Sequence, residues 1–194
     1  MKNLLRILLL PALLVTVPAS ADDEKPLTDK GWYIGAGMSL GWGQEKLEYG
    51  QETYKEEASS IASDFTLGYI TRLDHRFEVT YHLDSIETDA SNKNGKLTSL
   101  DFEWQFTFSD NLLEPYFRSG LGFASSAYLE EGVDLHGVSI QLGTGLIYRL
   151  TYNIEVDLGI KARAIGWRAT QHNGEDLVVS TVLTQTTGAI RYIF

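Results

Sequence analysis

The sequence of 194 residues contains no cysteine, which excludes disulfide bonds, thiolate metal sites and a lipid anchor attached to a cysteine. After residue 21 it also lacks any apolar run long enough for a membrane-spanning helix. Basic residues are few, with 16 lysines and arginines against 26 acidic residues, so the formal net charge is −10. This acidic balance argues against a nucleic-acid partner and against attachment to anionic lipid by charge alone.

Residues 1–21 have the composition of a secretory signal peptide. Lys2 and Arg6 make a basic start, an apolar segment follows, and small residues lead up to Ala21. We expect cleavage after Ala21, which removes two positive charges and leaves a chain of the size of one domain. The polar residues 22–30 show no periodicity and are predicted to be a flexible periplasmic segment.

From residue 31 to 194 the chain has alternating apolar and polar residues in short segments, the period of β-strands. Only helices and closed barrels satisfy the backbone in lipid, so the pattern predicts an all-β fold, an eight-stranded antiparallel transmembrane up-and-down β-barrel. Short turns at one end and longer external loops at the other put both termini in the periplasm. The strands are predicted at about 31–43, 61–71, 77–84, 99–108, 116–125, 138–150, 154–163 and 177–194, and the external loops at 44–60, 87–96, 128–137 and 166–176.

A soluble lipocalin-like barrel has the same alternation with its apolar face turned inward. Three features favour the membrane: glycines crowd the polar face, charges of both signs lie on that face, and aromatic residues mark the ends of the apolar stripes. These aromatic residues are predicted to form girdles at the membrane interfaces, with Trp32 and Trp42 at opposite interfaces. The predicted girdle consists of Trp32, Trp42, Tyr69, Tyr148, Tyr192 and Phe194.

The final strand places Ile190, Tyr192 and Phe194 on one face. This ending resembles the carboxyl-terminal signal strand of bacterial outer-membrane barrels, with one departure: Ala189 stands where some versions have glycine. The stretch 115–123, Pro-Tyr-Phe-Arg-Ser-Gly-Leu-Gly-Phe, resembles small barrels of the opacity-protein type.

The mature chain therefore resembles the superfamily of eight-stranded outer-membrane barrels, which includes opacity-type proteins and the membrane domain of outer-membrane protein A. The resemblance implies the outer membrane of a Gram-negative bacterium and a monomeric barrel. It also implies three kinds of partner: outer-membrane lipid and lipopolysaccharide, periplasmic chaperones, and the barrel assembly machinery, which would read Ile190, Tyr192 and Phe194.

The inward face carries many charged residues, and an eight-stranded barrel is barely wide enough for its own side chains. We therefore expect ion pairs and hydrogen bonds to fill the lumen. A three-residue turn at 151–153 would place Arg149 opposite Glu155 as a cross-strand ion pair. The predicted lumen charge network consists of Asp64, Glu78, His82, Asp84, Asp101, Glu103, Arg118, Arg149, Glu155, Asp157, Lys161, Arg163 and Arg191.

One constellation has enzyme-like chemistry. The same turn arithmetic pairs His82 with Asp101 and Asp84 with Ser99, which gives a histidine oriented by a carboxylate near Ser85. Small barrels that modify lipid A use such groups, but their His-any-Ser-Asn motif is missing and Ser85 is predicted to face away from His82. The interpretation favoured by the sequence is a lumen histidine, with no catalytic residue, cofactor or metal site.

Three functional hypotheses follow. The first is a structural or surface-interaction barrel that presents its external loops. The second is a narrow, porin-like channel for water, ions or small solutes through the charged lumen. The third is a lipid A-modifying enzyme, which the missing motif disfavours. A filled lumen would favour the first hypothesis, and a continuous water path would favour the second.

Overall fold

The computed structural model describes residues 31–49, 52–71, 75–88, 91–108, 112–127, 134–168, 170–172 and 175–194, so the predicted signal peptide and the segment 22–30 lie outside the described residues. Among those described, no helix is long and apolar enough to span a bilayer. The strands are β1 (Gly31–Tyr49), β2 (Glu52–Ile70), β3 (His75–Thr88), β4 (Ser91–Thr107), β5 (Leu113–Ala127), β6 (Asp134–Arg149), β7 (Ile154–Trp167), β8 (Thr170–His172) and β9 (Glu175–Ile193).

Eight long strands close into an antiparallel barrel, because β9 pairs with β7 on one side and with β1 on the other. The short β8 only extends the far end of β9. Following the backbone pairs once around the barrel leads from Ile34 through Val182 to Gln44, ten residues further along β1. An offset of ten over eight strands corresponds to a strand tilt of about 40° and a barrel radius of roughly 8 Å.

The apolar side chains of the strands point out of the barrel. Phe102 and Leu121 are 51% and 65% exposed, whereas Asp101, the inward-facing neighbour of Phe102 on β4, is fully buried. A continuous apolar belt of this size is not stable against water and is the surface that a bilayer covers. The predicted assignment of the two faces is therefore confirmed, and the soluble lipocalin-like arrangement is wrong for this chain.

Exposed aromatic residues collect at the end of the barrel that carries Gly31 and Phe194, which we call the terminal end; the opposite end is the loop end. Trp32 packs against Tyr69 with ring centroids 5.1 Å apart, and Tyr192 stacks on Phe194 at 6.4 Å. Trp42 is ten residues beyond Trp32, about 25 Å along the barrel axis at this tilt, and is equally exposed. Tyr148, at the end of β6, also belongs to the terminal end.

Several segments predicted as external loops are strand instead, so those predictions are wrong. Beyond the apolar belt, the outward positions of the strands face water, and Lys46 and Lys55 occupy two of them. The alternation of apolar and polar residues therefore disappears there, although the backbone pairing of β1 with β2 continues. The connection between β1 and β2 therefore shrinks from 44–60 to residues 50–51, and that between β3 and β4 from 87–96 to residues 89–90. β6 already begins at Asp134, β7 extends to Trp167, and β8 lies within the predicted loop 166–176.

The narrow interior requires glycine opposite its large side chains. Tyr33 lies over Gly68, and Tyr116 lies over Gly145 and Gly159, so closely that a Cβ atom at any of these glycines would overlap the tyrosine ring or hydroxyl. Both tyrosines are completely buried. The glycines of the inner face thus make room for two rings that extend over the neighbouring strands.

At the loop end the inward face changes from polar to apolar. Its buried residues form one hydrophobic cluster, which we call the loop-end core, and the indole nitrogen of Trp167 in it donates to Thr181 Oγ1 at 2.9 Å. Nearly all of its members lie at the level of Trp42 or closer to the loop end. This core is therefore on the loop-end side of the charged lumen. The loop-end core consists of Ala58, Ile86, Leu97, Ala124, Leu135, Ile165, Trp167, Val179 and Leu183.

Candidate functional site

The lumen between the terminal end and the loop-end core is filled with charged side chains. All thirteen residues predicted for the charge network point into it; twelve are buried, and Arg149 is partly exposed. They lie on alternate positions of β2 to β7 and β9, so the period of two alone brings them together. The network has a terminal, a middle and an upper cluster.

The terminal cluster contains two arginines and two glutamates. Arg76 contacts Glu155 at 2.6 Å and Glu114 at 2.9 Å. Arg149 reaches the same two carboxylates, at 3.3 Å to Glu155 and 2.5 Å to Glu114. The predicted cross-strand pair of Arg149 and Glu155 is confirmed, and it is part of a four-residue arrangement in which each charge has two partners.

The middle cluster is built on Arg191 of the last strand. Arg191 contacts Asp157 at 2.5 Å and Glu78 at 2.7 Å, so one guanidinium links β3, β7 and β9 across the lumen. Arg118 contacts Asp157 at 2.8 Å and Glu103 at 3.3 Å. These are buried, charge-assisted contacts, and removing one partner would leave another charge without compensation.

The two buried tyrosines complete the middle cluster. The Tyr33 hydroxyl donates to Glu78 at 2.6 Å, and the Tyr116 hydroxyl donates to Asp157 at 2.7 Å. Each ring also lies beneath a guanidinium, with Arg191 5.3 Å from the Tyr33 centroid and Arg118 4.7 Å from the Tyr116 centroid. The tyrosines therefore fill space and satisfy charges at once.

The upper cluster surrounds His82. Its Nδ1 lies 2.6 Å from Asp64 and its Nε2 lies 3.0 Å from Asp101, so both ring nitrogens face a carboxylate. The contact between Nδ1 and Asp64 is a hydrogen bond. Arg163 lies 3.4 Å from both Asp84 and Asp101. The expected contact between His82 and Asp101 exists, but the predicted register is wrong by two residues.

In the observed register His82 faces Ser99, Asp84 faces Leu97 and Asp101 faces Thr80. The pairing shifts between Ile86 and Thr88, and the connection lies at residues 89–90 rather than in a longer loop. The contact between His82 and Asp101 therefore runs diagonally across the strand pair, a distance that long side chains bridge.

The upper cluster does not have the arrangement of a hydrolase triad. Two buried serines, Ser39 and Ser139, donate to Asp64 and Asp101 rather than to the imidazole. A third, Ser99, faces His82 across the strand pair but accepts a hydrogen bond from Arg163 at 2.6 Å. Ser85 lies on the outward face, as predicted. His82 is also completely enclosed, which leaves no route for a lipid headgroup to its ring.

His82, Asp101 and Glu103 bring three potential metal-ligand atoms within 4.8 Å of one another. The same carboxylates already contact protein cations: Arg163 lies 3.4 Å from Asp101, and Lys161 lies 3.7 Å from Glu103. Because those cations balance the negative charge, the donor set suits an ion-pair network better than a divalent ion.

Charged side chains enclose a small polar void in the lumen. A void of about 20 Å³ lies between the middle and upper clusters, with Asp64, Lys161 and Arg191 among its lining residues. A polar space of this size holds about one water molecule. Within the described part of the chain, the charged clusters line the lumen around this void and the loop-end core lies above them.

Sequence reasoning missed Arg76 and Glu114, two charges of the terminal cluster. A usable signal was present, because Arg76 precedes Glu78 by two positions and Glu114 precedes Tyr116 by two, which puts both on the inward face. The predicted strands begin at residues 77 and 116, later than the observed starts at His75 and Leu113, and therefore do not include them.

A closed barrel with an apolar outer belt, aromatic residues at its terminal end and a salt-bridged lumen defines the class of transmembrane β-barrels. The family described as the outer membrane protein beta-barrel domain matches residues 7–184. The chain belongs to this family. Membership implies a location in the bacterial outer membrane.

Three solved structures show the same fold over nearly their whole length. Neisserial surface protein A (NspA) is 23% identical with a TM-score of 0.53, over 84% of this chain and 97% of that one. OprG from Pseudomonas aeruginosa is 12% identical with a TM-score of 0.54, over 84% and 96%. AlkL is 12% identical with a TM-score of 0.55, over 89% and 94%. Comparison with curated protein sequences gave no match.

Proposed function

We propose that this protein is a non-conducting outer-membrane barrel with a structural or surface-interaction role, its termini in the periplasm and its loop end outside the cell. The observation that supports the proposal is the filled interior. In the membrane-embedded part, ion pairs such as that of Arg191 with Asp157 occupy the lumen. Above them the loop-end core adds a second, apolar seal.

The surface-interaction part of the proposal rests on the hairpin of β1 and β2. β1 continues for seven residues beyond Trp42, which raises the hairpin about 17 Å above the belt at a tilt of about 40°. About half of the residues there are charged, among them Lys46, Glu48 and Glu57. A rigid, paired hairpin of this kind presents charges to a partner at a smaller entropic cost than a loose loop.

Conductance tests the closed lumen. The purified, refolded protein is reconstituted into planar bilayers, and the current is recorded at about ±100 mV beside a porin that verifies the membrane. We expect no discrete opening steps, because the clusters around His82 and Arg191 block the water path. Reproducible steps that depend on the protein would contradict the proposal and favour the narrow-channel alternative.

Orientation is tested separately with single cysteines, since the native chain has none. Thr53→Cys lies near the tip of the first hairpin, and Tyr152→Cys lies in the short turn between β6 and β7. A membrane-impermeant maleimide applied to intact cells should label Thr53→Cys, and should label Tyr152→Cys only after the outer membrane is permeabilised. The reverse pattern would show that the barrel is inverted.

A further inference from the structure

The outer surface of the barrel has an indentation toward its loop end. A groove of about 750 Å³ crosses the outward faces of β5, β6, β7 and β9. Side-chain size explains it, because Phe123 and Ile140 stand on one side and Val182 on the other, while Ala164 and Gly166 of β7 lie between them. A Cβ atom added at Gly166 would meet no atom within 4 Å.

The groove lies in the half of the belt nearer the loop end. Val182, at one side of it, is paired with Gln44, two residues beyond Trp42, so this side reaches the level of the loop-end interface. The lining is almost entirely apolar and continuous with the lipid-facing surface. In the proposed orientation the groove therefore faces the outer leaflet, where hydrocarbon chains surround it.

A cation stands directly above the groove. Arg168 follows the buried Trp167 and is exposed, two residues beyond Gly166 and thus about 7 Å further along the strand direction. Its backbone nitrogen donates to the His136 carbonyl at 2.7 Å, which holds it beside an exposed histidine. From membrane to surface the apolar groove therefore comes first, and the neighbouring residues Arg168 and His136 come next.

We propose that the groove binds an acyl chain of lipopolysaccharide and that Arg168 pairs with a phosphate of the same molecule. The groove offers a chain more contact than the smooth barrel wall does, and guanidinium matches phosphate geometry. Lipopolysaccharide combines acyl chains with phosphates at the level where groove and cation lie. This inference rests on the proposed orientation of the barrel.

The test uses the full mature chain in detergent micelles, with hexa-acylated, bis-phosphorylated lipid A as the probe and native mass spectrometry as the readout. Gly166→Phe places a ring in the open space and should lower lipid A occupancy about tenfold. Gly188→Phe is the matched control, because it is an outward glycine of β9 outside the groove whose added Cβ would make only ordinary contact with Leu158. It should bind as the wild type does.

Folding of each variant is verified by its shift in gel mobility on heating, so loss of binding is separable from loss of structure. Arg168→Gln should reduce binding of bis-phosphorylated lipid A about fivefold and leave binding of dephosphorylated lipid A unchanged. Unchanged lipid A binding by Gly166→Phe would contradict the proposal that the groove binds an acyl chain. Equal binding of phosphatidylethanolamine by the wild type would overturn the assignment to lipopolysaccharide.

The two proposals fail in different ways. If cysteine labelling shows an inverted barrel, the proposed orientation and the choice of lipopolysaccharide are both wrong. If labelling shows the expected orientation while Gly166→Phe and Gly188→Phe bind lipid A equally, only the groove inference is wrong.

Discussion

The inside of this barrel is filled in two different ways. In the part surrounded by lipid the filling is charged, as with Arg191 between Glu78 and Asp157. In the part that rises toward the loop end it is apolar, as with Leu97 and Leu183 in the loop-end core. The charges are enclosed where the surroundings are oil, and the apolar residues are enclosed where the surroundings are water.

The difference shows that the residues filling the barrel depend on whether the outward face of the same strand contacts lipid or water. Within the membrane every second residue must be apolar and outward, so an apolar inner face would make the segment a continuous hydrophobic run, the signal of a membrane helix. Beyond the membrane the outward face is free to be polar, and the inside becomes an ordinary hydrophobic core. A single unpaired charge buried in the lumen would destabilise the barrel, so these charges are tolerated only because they pair with one another in a network.

The largest decrease in the free energy of unfolding is expected from a substitution that disrupts the charged filling of the lumen. Arg191→Met leaves Glu78 and Asp157 short of a buried partner and should lower the free energy of unfolding by roughly 3–5 kcal/mol. Urea unfolding in phosphatidylcholine vesicles measures it. Lys96→Met removes an exposed outward cation and should change stability by less than about 0.5 kcal/mol. Equal effects of the two substitutions would contradict the network interpretation.

The second largest decrease in the free energy of unfolding is expected from a substitution in the loop-end core. Leu183 is completely buried in the loop-end core, and Leu183→Ala should cost roughly 2–4 kcal/mol through lost burial and a residual cavity. Leu183→Met keeps the volume and should cost less than about 1.5 kcal/mol in the same unfolding measurement. A negligible cost for Leu183→Ala would show that the loop-end core is not a stabilising unit.

A smaller effect is expected at His82. His82→Ala removes the imidazole contacts of Asp64 and Asp101, but Ser39, Ser139 and Arg163 remain, so the free energy of unfolding should fall by roughly 2 kcal/mol. The lipid A profile of intact cells, determined by mass spectrometry, should stay unchanged. A lost acyl modification would instead support the enzyme hypothesis. Ser85→Ala, on the outward face, should alter neither stability nor lipid A.

The smallest effect compares charges outside the barrel with those inside. Lys46 pairs with Glu48 on the first hairpin, and both side chains are more than 40% exposed. Lys46→Gln should change the free energy of unfolding by at most about 0.5 kcal/mol, because water screens the pair. A double-mutant cycle with Glu48→Gln measures the coupling. A coupling as large as that of the Arg191 pairs would remove the distinction between the two environments.

Alternation was sufficient to predict the fold and the face of each strand that turns inward, although the late predicted starts of β3 and β5 left out Arg76 and Glu114. Lipid restricts the outer face so strongly that residues such as Phe102 and Trp104 indicate where Asp101 and Glu103 must point. The pair of Arg149 and Glu155 also followed from the sequence, because a three-residue turn leaves little freedom of register.

The loop end could not be predicted in the same way. Beyond the lipid-covered belt, outward positions accept lysines such as Lys46 and Lys55 as readily as leucine. The alternation with a period of two therefore disappears from the sequence, although the strands remain paired. The loop-end core was missed for the same reason. The register of β3 against β4 depended on a shift near Ile86 that leaves no compositional trace.

The pairing of β9 with β1 also governs how fast this chain can fold. It joins Ile34 to Tyr192, residues separated by 158 positions, so closure demands a contact between the two extremes of the barrel sequence. Such a high contact order imposes a large loop-closure entropy before the final ladder forms, and it makes folding slow. Until that step two strand edges stay open, and the unclosed sheet is exposed to aggregation.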